Sequence, residues 1–323
     1  MNKRGLLDLV ISLLPGLKIT DKISLLQIFN DEDKLFVQSK RSMEEILNHG
    51  LPEFWDITEI HEKAGSIDTT CRMRSINWVS WNDADYPPLL RESYDPPAVI
   101  FYMGKLPNPE KSLLGMVGTR NPSPQAAEQA YKIAGNIGKA GISVISGLAM
   151  GIDAMSHRGN LIGNAPGYAV LGSGIDQVYP SVNRPLAKRI LDSGGAIISE
   201  YPPGVHPSKW TFPARNRIIA AMSRGVLIVE APKKSGALIT ADFALNMGKD
   251  LWVASSGVRE DGKFDKRGTI KLADDGAEII NSACDVLYKW NMAEKEFDLD
   301  AVETGANKNE IIHSMANFLK IEI

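Results

Sequence analysis

The chain has 323 residues, 44% hydrophobic and 23% charged, with a formal net charge of −3. At roughly 150 residues per domain this length suggests about two domains, and the ordinary apolar content excludes a disordered or fibrous class. No run approaches the ~20 uninterrupted apolar residues of a membrane-spanning helix, and the slightly acidic total excludes a generally basic nucleic-acid coat.

The N-terminal stretch MNKRGLLDLVISLLPGLK combines a basic start with a short apolar run but has no small-residue cleavage site. It reads as an amphipathic helix rather than a leader, and a cytoplasmic protein is expected. Residues 1–65 continue in helical pattern, with LLDLVISLL, ITDKISLLQIF and SMEEILNHG separated by Pro15, Gly16 and Gly50. They form an expected small all-α domain. The LPGL turn hints at a helix-hairpin-helix or sterile-alpha-motif-like unit, although Lys18 stands where a DNA-binding hairpin would want a second glycine.

Residues 66–110 form a proline-rich structured linker. Its paired prolines, Pro87–Pro88 and Pro96–Pro97, forbid helix and favour extended chain with turns, and AVIFYMG is one predicted strand. From 111 to 290 the period changes. LLGMVG, ISVISG, GYAVLG, AIISE, GVLIVE and LWVAS are short apolar runs that alternate with helical stretches, the βαβ pattern of a doubly wound, mostly parallel sheet buried on both faces. Helix caps are legible too: Ser123 as N-cap, Pro124 at the first helical position, Gly141 at the end. Residues 291–323 are an acidic tail with seven acids and three bases, a net of −4 that leaves the body at +1. Any polyanion site must therefore be a local patch.

Ligands of doubly wound sheets bind outside the carboxyl ends of the strands. Here those ends carry Gly118-Thr119-Arg120, Ser146-Gly147, Gly172-Ser173-Gly174, Ser199-Glu200, Glu230 with Ser235-Gly236, and Ser255-Ser256-Gly257. Small residues such as Gly118, Ser146, Gly147, Gly172 and Gly174 let a ligand approach the backbone, and helix N-termini behind them favour an anion, best a phosphate. No GxxxxGK[ST] occurs, GSGIDQ at Gly172 lacks the third glycine of a dinucleotide fingerprint, and no GxSxG elbow exists. Asp153 and His157 could share a helix face, a spacing that suits an intrahelical bond or cap better than a catalytic dyad. Cys71 and Cys284 lack CxxC partners and no His/Cys/Asp cluster suits a metal, so neither disulfide, zinc nor cofactor is expected.

What remains at this edge is cationic and aromatic: Arg120, Lys209, Arg215, Arg217, Lys233 and Lys234, interleaved with Tyr179, Tyr201, Trp210 and Phe212. Guanidinium groups hold phosphates and aromatic faces accept unstacked bases, so single-stranded nucleic acid meets both needs. The segment KWTFPARNRIIAA (209–221) concentrates this pattern ahead of an apolar helix.

Five blocks, VGTRNPS (117–123), SGLAMGIDAMSHRG (146–159), AVLGSGIDQVYPSVNRPLA (169–187), SEYPPGVHPSKWTFPARNRIIAAMS (199–223) and VEAPKKSGALITADFAL (229–245), resemble the DNA processing protein A family (DprA, also called Smf). The resemblance implies an extended Rossmann-like α/β sheet behind a sterile-alpha-motif-like helical domain, a homodimer without enzymatic activity, and a chain that binds single-stranded DNA and loads a RecA-type recombinase onto it during natural transformation. By the same resemblance Arg120, Lys209, Arg215 and Arg217 grip the DNA backbone, and Phe212 stacks on or wedges against a base. Asn216 holds the turn or contacts a base edge, while Ser235, Gly236 and Thr240 supply phosphate-binding donors at a helix N-terminus. The chain departs from the family pattern at Ser255–Gly257, where a Pro-Gly pair is usual, and at RGTIKLADDGA. The winged-helix domain of many members is not expected in the acidic tail. The rival reading is a nucleotide-binding or nucleotide-hydrolysing enzyme of the lysine-decarboxylase-like Rossmann group, with Glu230 as its candidate acid, although the PGGxGT loop of that group is absent.

Overall fold

A computed structural model describes residues 5–51, 56–260 and 262–292, so all but the first two residues of the expected acidic tail lie outside the described residues. Nine strands form one sheet: β1 (Asn77–Ser80), β2 (Val99–Gly104), β3 (Leu113–Val117), β4 (Ser143–Ser146), β5 (Tyr168–Leu171), β6 (Ala196–Ser199), β7 (Gly225–Ile228), β8 (Asp250–Ala254) and β9 (Glu278–Ile280). Their order is β1-β2-β6-β5-β4-β3-β7-β8-β9. The seven strands from β6 to β9 are parallel, and β1 and β2 are antiparallel additions at one edge, Phe101 of β2 lying opposite Ser199 of β6.

The six expected strands correspond to β3 through β8. Strands β3 to β7 are buried along their whole length, which their unbroken apolar runs require once helices cover both faces. Among the described residues five helices precede β1: α1 (Leu7–Leu13), α2 (Ile19–Ile28), α3 (Glu32–Phe36), α4 (Lys40–Leu47) and α5 (Ile57–Met73). They are not a separate core. Leu7, Val10, Leu25 and Ala64 share one buried cluster with Val99, Phe101, Leu171 and Ile190. The expected boundary at residue 65 falls inside α5.

After β1 a short helix α6 (Pro88–Arg91) interrupts the linker. The paired prolines do not forbid helix there, because Pro88 occupies the first helical position, where no N–H is needed. Next come α7 (Pro124–Lys139), α8 (Ile152–Ile162), α9 (Arg184–Asp192), α10 (Thr211–Met222), α11 (Gly236–Asn246), α12 (Ser255–Val258), α13 (Arg267–Asp274) and α14 (Ala283–Lys289). Helices α7, α8 and α14 pack over Leu114, Val144 and Trp252 on one face of the sheet. Helices α10 and α11 cover the other, over Val117, Ile145 and Val226. The N-cap of α7 is the predicted one: Ser123 Oγ accepts from Ala126 N–H at 3.2 Å, and Gly141 turns the chain at φ +77°.

Candidate nucleic-acid interface

Strand β3 lies between β4 and β7, so the chain winds outward from β3 in one direction and, after β6, crosses back and winds in the other. Loops leaving β3 and β7 therefore diverge and open a crevice, the position where doubly wound sheets take ligands. The crevice is a cleft of about 750 Å³. Gly118, Thr119 and Arg120 line it after β3, Ser235, Gly236 and Thr240 around the start of α11, and Lys209, Phe212, Arg215 and Asn216 from α10 and the loop before it. Eight of the nine expected contact residues thus meet in one place.

Arg120 and Lys209 are exposed. The Arg120 guanidinium carbon lies 5.6 Å from the Phe212 ring centroid, and the Tyr179 ring lies 5.6 Å from the same ring at an interplanar angle of 44°. These are contacts of a cation and a second aromatic with one half-buried ring. Thr211, one residue before it, donates its hydroxyl to the Gly172 carbonyl and ties the start of α10 to the end of β5. On the opposite wall Ser235 caps α11, accepting from Ala237 N–H at 3.2 Å. Thr240, one turn further on, is buried and its Oγ1 has no hydrogen-bond partner among the described residues. An unmatched hydroxyl beside the positive end of a helix dipole is suited to an anion's oxygen. Asn216 bridges the walls by donating from Nδ2 to the Gly236 carbonyl at 3.0 Å, so it holds the cleft's shape.

Arg215 differs from the other cations. Its side chain is buried under the cleft floor and donates to the carbonyls of Val170 and, at 2.8 Å, Gly147. Asp153, at the start of α8, accepts from Gly147 N–H at 3.1 Å and lies within electrostatic reach of Arg215. Burial raises the Asp153 carboxyl above its ordinary range, opposed by Arg215 and by the N–H groups of Ala149 and Gly147. Burial, with a contribution from Arg120, brings Arg215 down to about 10, so it remains a cation at neutral pH.

Arg217 departs from the expectation. It does not line the cleft; the residue is 7% exposed and its guanidinium is divided between Asp95 at 2.8 Å and Glu200 at 2.7 Å. Burial works against its charge, but Glu200 and then Asp95 outweigh it and hold the group above its ordinary range. Two residues along a helix is about 200°, so Arg215 and Arg217 must diverge. Lys233 and Lys234 are exposed on the loop before α11 without lining the cleft.

The glycines also require correction. Gly147, Gly172 and Gly174 are buried, and the space a side chain would need is filled by protein. A Cβ at 147 would collide with the Arg215 guanidinium, one at 172 would lie 2.8 Å from Phe212 Cδ1, and one at 174 would lie 2.7 Å from the Pro202 carbonyl. Gly147 and Gly172 thus make room for the site's own side chains, and Gly174 for the backbone at Pro202 and Val205, rather than for a ligand. Gly118 does line the cleft, yet its absent side chain leaves space for Ile152 and the Glu230 carbonyl. Ser146 is fully buried and donates to the Met116 carbonyl at 2.6 Å.

Glu230, the rival reading's acid, is 1% exposed. Its carboxylate accepts from Ser123 N–H at 2.8 Å and from Ser123 Oγ, and lies 3.7 Å from Lys266 Nζ. His157 is fully buried without a hydrogen bond to Asp153. Thr119, named among the strand-end residues, lines the cleft beside Arg120; Ser208, in the loop before α10, also lines it and carries no signal in the sequence.

A family model described as DNA recombination-mediator protein A matches residues 77–291. Protein Smf of Synechocystis sp. is 44% identical over 207 residues, and the match covers 62% of this chain but only half the length of that relative. The DNA processing protein DprA of Bacillus subtilis is 36% identical over 234 residues, covering 72% of this chain and 77% of the relative. Among solved structures, DNA processing protein A from Streptococcus pneumoniae superposes with a TM-score of 0.70 at 29% identity, over 90% of this chain and 98% of that one. A structure of DNA processing protein A from Helicobacter pylori, concerned with its single-stranded DNA binding mode, superposes with a TM-score of 0.58 at 25% identity, over 68% and 96%. With two thirds of its length matched by the family model and the same sheet in the solved relatives, this chain belongs to the DNA recombination-mediator protein A family, also known as DprA or Smf.

Proposed function

We propose that the chain binds single-stranded DNA in the cleft between β3, β7, α10 and α11, and passes it, as a homodimer in the cytoplasm, to a RecA-type recombinase. The observation that carries the binding step is the convergence on one crevice of two exposed cations, Arg120 and Lys209, an unpartnered buried hydroxyl on Thr240, and the ring of Phe212. Cations and hydroxyl suit a phosphate, and the ring suits an unstacked base that a duplex would not offer. The Helicobacter pylori relative's single-stranded DNA binding mode supports the same choice. Transfer to a recombinase rests on membership of a recombination-mediator family.

A binding rather than a catalytic role is supported by the acids of the site. Glu230 is buried, does not line the cleft and is committed to holding Ser123, so it is not presented to a substrate as a proton donor; Asp153 lines the cleft but is buried, its carboxylate accepting from Gly147 N–H. The test is fluorescence anisotropy of a labelled oligothymidylate with the wild type and with Arg120→Ala and Lys209→Ala. Each variant is expected to keep the wild-type unfolding curve and lose roughly tenfold in affinity, the scale of one charge-assisted phosphate contact. Unchanged affinity in both would overturn the assignment of the cleft.

A further inference from the structure

The two faces of the loop before α10 differ. Lys209 lines the cleft, whereas Trp210, the next residue, does not line it and is 72% exposed. The two are nevertheless joined: Lys209 Nζ lies 4.9 Å from the Trp210 ring centroid. The exposed indole therefore stands at a helix start against a cation that lines the proposed phosphate site. The loop backbone is held by short-range bonds, Trp210's own N–H donating to Ser208 Oγ at 3.3 Å and Ser208 N–H to Thr211 Oγ1 at 3.1 Å. At the other side of Phe212, Tyr179 is 48% exposed.

We infer that Trp210 is a second base-stacking platform, outside the cleft, for the nucleotide that leaves it past Lys209. The inference rests on the single-stranded DNA reading above. Phe212 with Tyr179 takes a base inside the cleft, Lys209 takes the phosphate at its mouth, and the Trp210 indole takes the following base, with the ammonium placed between ring and backbone. Stacking of this kind is tolerant of sequence because every base offers a π-face, so the platform extends the footprint without adding sequence preference.

The experiment is a length series from thymidine monophosphate to oligothymidylates of about ten residues, titrated by anisotropy against the wild type, Trp210→Ala and Trp210→Phe, with a parallel set carrying abasic sites. Trp210→Ala is expected to leave the mononucleotide unchanged and to weaken the dinucleotide and longer oligomers by roughly tenfold. Trp210→Phe is expected to retain most of the affinity, and the abasic set is expected to be insensitive to Trp210→Ala. Binding of long oligomers that is unaffected by Trp210→Ala, or weakened equally by Trp210→Phe, overturns the platform while leaving the cleft assignment intact. A wild type that binds none of the series removes the DNA reading itself, and this inference with it.

Discussion

The Arg215 guanidinium occupies the space that a side chain at Gly147 would need, and it donates to the Gly147 carbonyl at 2.8 Å. Helix α10 is thereby locked to the ends of β4 and β5 through one buried cation. Gly147→Ala is expected to displace the guanidinium and destabilise the fold by about 1–3 kcal/mol, the usual range for overpacking a closed site. Urea unfolding measures this, and DNA affinity should fall in the same variant because Phe212 and Asn216 ride on the same helix.

Arg217→Ala is expected to act through stability. Removing it leaves Glu200 and Asp95 without their partner; because both are partly solvated, the loss should be about 2 kcal/mol, below that of a fully enclosed pair. Any fall in DNA affinity at saturating folded protein should be far smaller than for Arg120→Ala. The comparison needs one denaturation curve and one titration per variant.

Thr240→Val separates binding from folding most cleanly. The hydroxyl is buried and unpartnered in the free protein, so replacing it with a methyl of similar shape should leave stability unchanged or raise it by about 1 kcal/mol. If the hydroxyl contacts a phosphate, affinity for single-stranded DNA should drop roughly tenfold in the same protein.

His157 makes a pH-dependent contribution that the cleft does not use. Burial, with Arg215 adding to it, pushes the imidazole from its ordinary 6.5 down to about 3. Between these values the unfolded chain binds a proton that the native protein does not, so stability is full above pH 6.5 and is lost as pH falls toward 3. His157→Gln should flatten that slope; thermal unfolding of both proteins at several pH values between 7 and about 4 gives the difference.

Much of this was legible in residues alone, for identifiable reasons. The buried parallel strands announce themselves as apolar runs, whereas β9 exposes Glu278 and Ile279 and buries only Ile280, and β1 buries only its last two residues, so neither shows a pattern. Arg120, Ser235 and Gly236 could be placed at the cleft because they follow strand ends, which is where topology collects ligands. Arg217 was misplaced because its partners Asp95 and Glu200 are distant in sequence, 122 and 17 residues away, and no local spacing reveals them. The glycines were misread because a small residue that admits a ligand and one that admits a neighbouring side chain look identical in a sequence.

The most direct test of single-stranded DNA recognition is a side-by-side anisotropy titration of one oligonucleotide, single-stranded and annealed to its complement, across a salt series. The expected result is markedly tighter binding of the single strand, with log affinity falling linearly against log salt by about 0.7 per phosphate neutralised. Equal affinity for the two forms, or affinity that does not change with salt, would contradict it.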